Sequence, residues 1–398
     1  MAPKKRILAI TAGLLLSVCF AGQEASAGDR PILIGLDADM TGGDAQGGEA
    51  IYRGAQVAIA EINARGGVLG RPLKIIVRNH RANPARGIDN MDAFAGMTDL
   101  VAVIGGVHTP VAMEELKSIH RNKIIYLGPW AAGTPIVANG YSPNFVFRVS
   151  VRDEHAGGFL IGAARDQGYR RPGLLLWRTG WGRSNEKAMT EAADELGLEL
   201  AGIEWFNSGV RDMTKQLAAL KAAGADVVML VANATDGVVA IRDVAAMAAA
   251  ERLPVVSHWG ITGGNFFNQT SADIGKVKLS FLQTFSFHAP PFPGRAKRVY
   301  EGYCRLFGPC KTVADVLSPV GVAHAYDLVH LLSRAIGRAK SIDRVEVRAA
   351  LETLPSHRGV MRNYNPPFTP GRHDALDARD FHLSRFNGAG TIVPVKAP

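Results

Sequence analysis

The chain has 398 residues, of which 47% are hydrophobic and 20% charged, and carries a formal net charge of +9. No Lys/Arg block interleaved with aromatics appears, which argues against nucleic acid as a partner, and beyond residue 27 no run of about 18 apolar residues offers a membrane span. A chain this long exceeds what a single hydrophobic core ordinarily supports, so two domains are expected.

The N-terminus places a basic stretch, "MAPKKR", before an apolar run, "ILAITAGLLLSVCFAG", and ends with the small residues Ala25, Ser26 and Ala27 ahead of Gly28. That order reads as a cleavable signal peptide over residues 1–27, so the mature chain is expected to be exported. Lipidation at Cys19 is the alternative, and the bulky Val18 before it argues against that. Removing Lys4, Lys5, Arg6 and Glu24 takes away a net +2, leaving 9 − 2 = +7, a weak attraction for small anions.

"PILIGL" reads as a strand, and the helix after it carries Ile51, Ala55, Ile59 and Ile62 on one face before stopping at Gly66 and Gly67. Next come a strand, "LKIIVR", a helix with Asn83 as cap and Pro84 in its first turn, a strand, "LVAVIG", a helix opened by Thr109 and Pro110, and a strand, "KIIYLG". Strands alternating with helices in this way make a parallel, doubly wound unit. An extended run over residues 144–150, "NFVFRVS", leads to a second unit of the same kind: "GLLLW", a helix over 184–196, "LELAGIEWF", a helix over 213–223, "DVVMLV", a helix over 236–249 and "LPVVS". A second extended run, residues 276–287, is followed by helices over 295–307 and 313–338.

The fold expected is α/β: two Rossmann-like lobes with parallel sheets and a ligand cleft between them, beyond the carboxyl ends of the strands. Crossings at residues 144–150, 276–287 and 358–364 divide the chain into an N-terminal lobe, 28–146 plus 282–358, and a C-terminal lobe, 147–281 plus 359–398.

Enzymatic signatures are mostly missing: no G-x-S-x-G, P-loop, H-E-x-x-H or C-x-x-C occurs. "MTGGDAQGGEA" lacks the G-x-G-x-x-G spacing for a pyrophosphate and reads as a flexible ligand loop or a turn. His324 and His330 stand six apart, off a common helical face, so a metal pair is not expected; no cofactor is expected either. Cys304 and Cys310 in "CRLFGPC" are expected to pair in an oxidising compartment, two free buried thiols being the alternative. In "YLGPWAAGTP" an indole, Trp130, sits among small residues just after a strand, where it either caps the core or lines a pocket.

"AEINARGGVLGRPLKIIV" (residues 60–77), with "NPARG" behind it, resembles the leucine/isoleucine/valine-binding family of periplasmic solute receptors for ABC transporters. "VAVIGGVHTPVA", "YLGPWAAGTP", "FVFRVS", "GWGRSNEKAM" and "QLAALKAAGADVVML" extend the resemblance over nearly all of the mature chain. It implies the type I periplasmic binding protein fold and a monomeric receptor, not an enzyme, located in the periplasm. Such a receptor closes on a small molecule and presents it to membrane permease and ATPase subunits. A signalling subunit that hands its ligand state to a receptor kinase would have the same lobes. An enzyme on this scaffold would need orienting partners for His108 and His258, and the sequence offers none.

The family holds an amino acid's carboxylate with hydroxyls and backbone N–H groups from two first-lobe loops, and its ammonium with an acid from the second lobe. Carried over, the hydroxyl pair becomes His108 and Thr109. Trp130 stands where the family has a small residue, Ala131 keeps the backbone contact and Ala132 replaces a threonine. Trp181 matches a covering aromatic, and Trp259 stands in place of the acid, with Asp37, Asp39 or Asp236 as nearby substitutes. The resemblance thus implies a small carboxylate with an apolar or aromatic body, stacked by Trp130, Trp181 and Trp259, its anion near His108, Thr109 and the Ala131 N–H. A branched-chain amino acid or an amide is the alternative. Trp177 and Trp205, on strands, are read as core.

Overall fold

The computed structural model describes residues 1–2 and 30–395. The signal-peptide reading and Cys19 fall on residues outside these. Among the described residues no helix is long and apolar enough to cross a membrane.

The first lobe is built on five parallel strands: β1 (Ile32–Ala38), β2 (Leu73–Asn79), β3 (Leu100–Ile104), β4 (Ile125–Gly128) and β5 (Val146–Arg148), in the order β2-β1-β3-β4-β5. Between them run α1 (Ala45–Asn63), α2 (Pro84–Ala95), α3 (Thr109–Arg121) and the single turn α4 (Thr134–Val137). Asn83 opens α2 as expected, its side chain accepting from the Ala85 and Arg86 N–H groups. Every residue of β3 and β4 is buried, which is why these strands read as unbroken apolar runs.

The second lobe carries seven strands in the order β14-β13-β10-β9-β8-β6-β7. The parallel part comprises β6 (Pro172–Trp177), β7 (Gly202–Phe206), β8 (Val227–Val231), β9 (Val255–Ser257) and β10 (Leu279–Gln283). Its helices are α5 (Asp153–Asp166), α6 (Gly180–Glu195), α7 (Thr214–Ala222), α8 (Ala234–Ala246) and the short α9 (Phe266–Thr270). The chain then returns to the first lobe as α10 (Pro293–Phe307), α11 (Pro319–Ala339) and α12 (Arg344–Glu352), with α11 lying along α1. That approach requires a glycine, since a Cβ on Gly54 would stand 2.2 Å from the Val322 carbonyl oxygen. A two-stranded hairpin, β11 (His357–Arg358) and β12 (Asn363–Tyr364), precedes β13 (His382–Phe386), antiparallel to β10, and β14 (Ile392–Pro394), antiparallel to β13, which close the second sheet.

Three expectations shift. The helix expected from residue 184 begins at Gly180, because Thr179 caps it from outside and so brings Trp181 into its first turn. The helix expected over 313–338 begins only at Pro319: Ser318 is left-handed (φ 44°), and Val313–Asp315 is a separate turn closed by a capping box between Thr312 and Asp315. Residues 359–364, assigned above to a crossing and the C-terminal lobe, stay with α11. Buried Asp327 on α11 accepts from the Val360 and Met361 N–H groups and the Tyr364 hydroxyl, and residues 373–375 then bond to β5, so the chain leaves for the second sheet only after Ala375. Cys304, in the last turn of α10, is bonded to Cys310, with the two Cα atoms 5.4 Å apart.

Candidate functional site

The loop that follows β4, residues 129–133, lies where the two lobes meet, and each of its carbonyls has a donor. Pro129 accepts from His324 Nδ1 (2.7 Å), Trp130 from Ser150 Oγ (2.6 Å), Ala132 from the Asp153 N–H (3.0 Å), and Ala131 and Gly133 both from Arg148 Nη1 (3.2 and 3.0 Å). Arg148, fully buried in β5, is held in turn by Asp374, whose Oδ1 accepts from Nε at 2.5 Å. Because the Pro129 carbonyl can only accept, the His324 proton is on Nδ1, and Nε2 receives the Thr284 hydroxyl. Burial depresses this imidazole to a pKa of about 4, opposed by its bond to Pro129, so it is neutral at pH 7. Such a loop presents its side chains from a fixed backbone.

Thr109, at the start of α3, uses its hydroxyl oxygen to accept the Gly133 N–H (3.2 Å), and the Ala131 N–H points to the Gly106 carbonyl (3.4 Å). Trp130 and Trp259 meet across the lobes with ring centroids 5.5 Å apart, and Trp259 also lies 5.7 Å from His324. Each of these two indoles is 1% exposed. Trp181 is set apart from them: its Nε1 donates to Asp153 (3.2 Å), and its ring meets His258 edge-on at 5.1 Å. Ala132 is buried in the anchored loop.

Asp236, in the first turn of α8, accepts the Gly209 N–H at 3.1 Å. Burial raises its carboxyl to a pKa of about 6, with that bond opposing and the Asp44 charge adding. Of the other acids singled out in the sequence, Asp37 turns inward to Asn90 and Asp39 closes its own loop on the Thr41 and Gly42 N–H groups.

Each cleft histidine has a nearby carboxylate that the sequence did not reveal, hydrogen-bonded to His108 but only within ion-pair distance of His258, whose Nε2 has no hydrogen-bond partner among the described residues. His108 Nε2 is 2.9 Å from Asp44 Oδ2, and His258 Nε2 is 3.2 Å from Asp153 Oδ1, while His258 Nδ1 accepts the Trp259 N–H. Asp44 further accepts from Asn233 Nδ2 (3.0 Å) and the Ala234 N–H (3.4 Å) of the second lobe. Several buried polar atoms in this region lack a hydrogen-bond partner among the described residues: Trp130 Nε1, His108 Nδ1, Asp153 Oδ2 and Gln283 Oε1. The region thus holds unmet hydrogen-bonding capacity beside two indoles: one donor, two acceptors and an imidazole nitrogen. Asp44, Arg148, Asp153, Asn233 and His324 were not identified as site residues from the sequence. Each reads locally as an ordinary strand, loop or helix position.

A family model described as periplasmic binding protein matches residues 31–379. The chain belongs to the periplasmic binding protein family. It is 26% identical over 359 residues to the Leu/Ile/Val-binding protein homolog 2 of Brucella abortus (strain 2308), covering 87% of this chain and 90% of that protein. Its fold matches a leucine-binding protein from Thermotoga maritima MSB8, with a TM-score of 0.79 and 19% identity over 92% of this chain and 98% of that one. It also matches an ABC-transporter solute-binding protein from Rhodopseudomonas palustris HaA2 in complex with p-hydroxybenzoic acid, with a TM-score of 0.77 and 15% identity over 92% of this chain and 95% of that one. This periplasmic binding protein is thus a solute-binding receptor of the Leu/Ile/Val-binding type with the type I fold. Its family and neighbours bind substrates and are not enzymes, so the His–Asp pairs of the receptor are read as binding and packing groups.

Proposed function

We propose that the protein is the periplasmic receptor of an ABC importer, exported by the signal peptide over residues 1–27. In this reading its two lobes close on a small carboxylate with an aromatic or apolar body and deliver it to a membrane permease. The boundaries 28–146 with 282–358 and 147–281 with 359–398 describe the lobes, save that β5 through Arg148 and residues 359–375 go with the first lobe and β10 through Gln283 with the second. The observation that carries the ligand class is Trp259, which stands where the family places its acid and instead faces Trp130 at 5.5 Å. An ammonium enclosed there without a counter-charge costs several kcal/mol, more than one aromatic contact of about 0.5–1.5 kcal/mol offsets. Trp130 Nε1 and the Thr109 hydroxyl can donate to the carboxylate, and His108 Nδ1 joins them only when the ring carries a proton on both nitrogens, since Nε2 already donates to Asp44. The p-hydroxybenzoic acid held by the R. palustris protein of the same fold supports this class.

A second reading, an amino acid, is favoured by Asp153. Its Oδ2 is fully buried without a partner beside Trp181, a place that suits an ammonium. Isothermal titration of the mature protein with p-hydroxybenzoic acid and with leucine separates the two. The carboxylate reading expects p-hydroxybenzoic acid to bind more tightly than leucine, with a loss of about 3 kcal/mol in Trp259→Ala. Tight leucine binding that survives Trp259→Ala and disappears in Asp153→Asn overturns it in favour of the amino acid.

A further inference from the structure

Asp44 is the N-cap residue of α1, a position from which an aspartate ordinarily accepts the N–H groups of its own first turn. Here its side chain makes no bond to α1. It reaches into the second lobe, where Oδ2 takes Asn233 Nδ2 at 3.0 Å and Oδ1 takes the Ala234 N–H at 3.4 Å. Asn233 is the N-cap residue of α8 and likewise leaves its own helix without a side-chain cap. The Asp44 carboxylate therefore caps a helix of the opposite lobe and not its own, and sits at the positive end of α8. The same carboxylate orients His108 from behind at 2.9 Å. Asp236, in the first turn of α8, is the acidic neighbour that opposes this arrangement.

The glycine-rich stretch "TGGDAQGG" makes the approach possible. A Cβ on Gly43 would stand 2.2 Å from Thr235 Oγ1, one on Gly264 2.5 Å from the Gly43 carbonyl oxygen, and one on Gly47 3.2 Å from the Gly263 carbonyl oxygen. Glycines on both sides remove the side chains that would hold the two backbones apart. This accounts for a motif that has the wrong spacing for a phosphate loop.

We propose that Asp44 is a positioning residue for ligand capture: its carboxylate latches the first lobe to Asn233 and Ala234 of the second while fixing His108 at the cleft. The lobes are then held together by the protein's own anion, and ligand binding draws on a population of closed molecules that the latch maintains. This rests on the two-lobe receptor reading but not on the identity of the ligand.

Small-angle X-ray scattering of the ligand-free mature protein tests it. Asp44→Ala and Asn233→Ala should each raise the radius of gyration, and Asp44→Asn, which keeps one acceptor oxygen, should fall between Asp44→Ala and wild type. Gly43→Val should raise it without removing a charge, by propping the backbones apart. For whichever of p-hydroxybenzoic acid and leucine binds wild type, Asp44→Ala should weaken affinity on the order of 10-fold as the closed population drops. Scattering curves of Asn233→Ala and Gly43→Val that superpose on wild type overturn the latch, and they decide the matter even if Asp44→Ala does not fold. If neither compound binds wild type, the ligand reading fails, while the scattering comparison still judges the latch.

Discussion

Replacing Arg148 by methionine keeps a buried chain of similar length and removes only the guanidinium. Two consequences can be read from its surroundings. Asp374, itself buried, loses its 2.5 Å partner and keeps only Arg152 Nη1 at 3.5 Å, leaving a nearly uncompensated interior charge, a loss of about 3–5 kcal/mol. The Ala131 carbonyl loses its donor, and an unsatisfied buried acceptor costs about 1–3 kcal/mol, while the Gly133 carbonyl keeps the Ile136 N–H. Set against the stability of about 5–15 kcal/mol typical of a folded protein, Arg148→Met should leave little folded material. Arg148→Lys separates the parts: an ammonium can still face Asp374, but it cannot hold both carbonyls in the geometry of the planar fork. It should fold, lose about 2 kcal/mol and bind ligand more weakly, because the backbone under Trp130 and Ala132 is no longer pinned. Urea unfolding followed by circular dichroism at pH 7.5, on wild type, Arg148→Met, Asp374→Leu and the double variant, measures this. Coupling between the two sites should reach about 2–3 kcal/mol. If Arg148→Met unfolds within about 1 kcal/mol of wild type, the loop does not depend on this guanidinium and the reasoning is refuted.

His324 should make the protein acid-sensitive. With its folded pKa lowered to about 4 by burial, against an ordinary value of 6.5, its contribution is complete above pH 6.5 and lost as the pH falls toward 4. His324→Gln should flatten the stability profile over that window by about 3 kcal/mol, and parallel wild-type and variant profiles would show the wrong histidine was chosen. Gly260→Ala should lower stability by about 1–3 kcal/mol, since its Cβ would stand 2.5 Å from the Ala232 carbonyl oxygen and 2.6 Å from the Trp181 ring. An unchanged melting temperature would mean that this backbone yields freely. Intact-mass measurement of the exported protein after alkylation without reductant should find Cys304 and Cys310 unlabelled. The loop they close spans only 6 residues, so reduction should lower stability by about 2 kcal/mol.

The alternation of buried strands and amphipathic helices was legible in the sequence because those signals are local: apolar runs such as "LVAVI", the Asn83 cap, the glycines after α1. The same locality made the family resemblance visible and placed Trp130, Trp181 and Trp259 just past strand ends, although Trp181 lies in the first turn of α6 and not on a loop. What the sequence by itself determined was therefore most of the strand and helix alternation as far as α11, the two-lobe α/β class and the loops that meet at the cleft, while α5, α12 and the closing strands β13 and β14 went unread. Tertiary structure alone decided which polar groups complete the site. Asp44 finds Asn233 across 189 positions, Pro129 finds His324 across 195, and Arg148 finds Asp374 across 226. Each of these residues has an ordinary local role available to it, an N-cap for Asp44, a helix face for His324, a strand position for Arg148. A local pattern cannot say that the side chain leaves that role. The free energy of burying a charge or a carbonyl is settled by whatever partner the assembled lobes bring within about 3 Å, and chain crossings, not sequence neighbours, choose that partner.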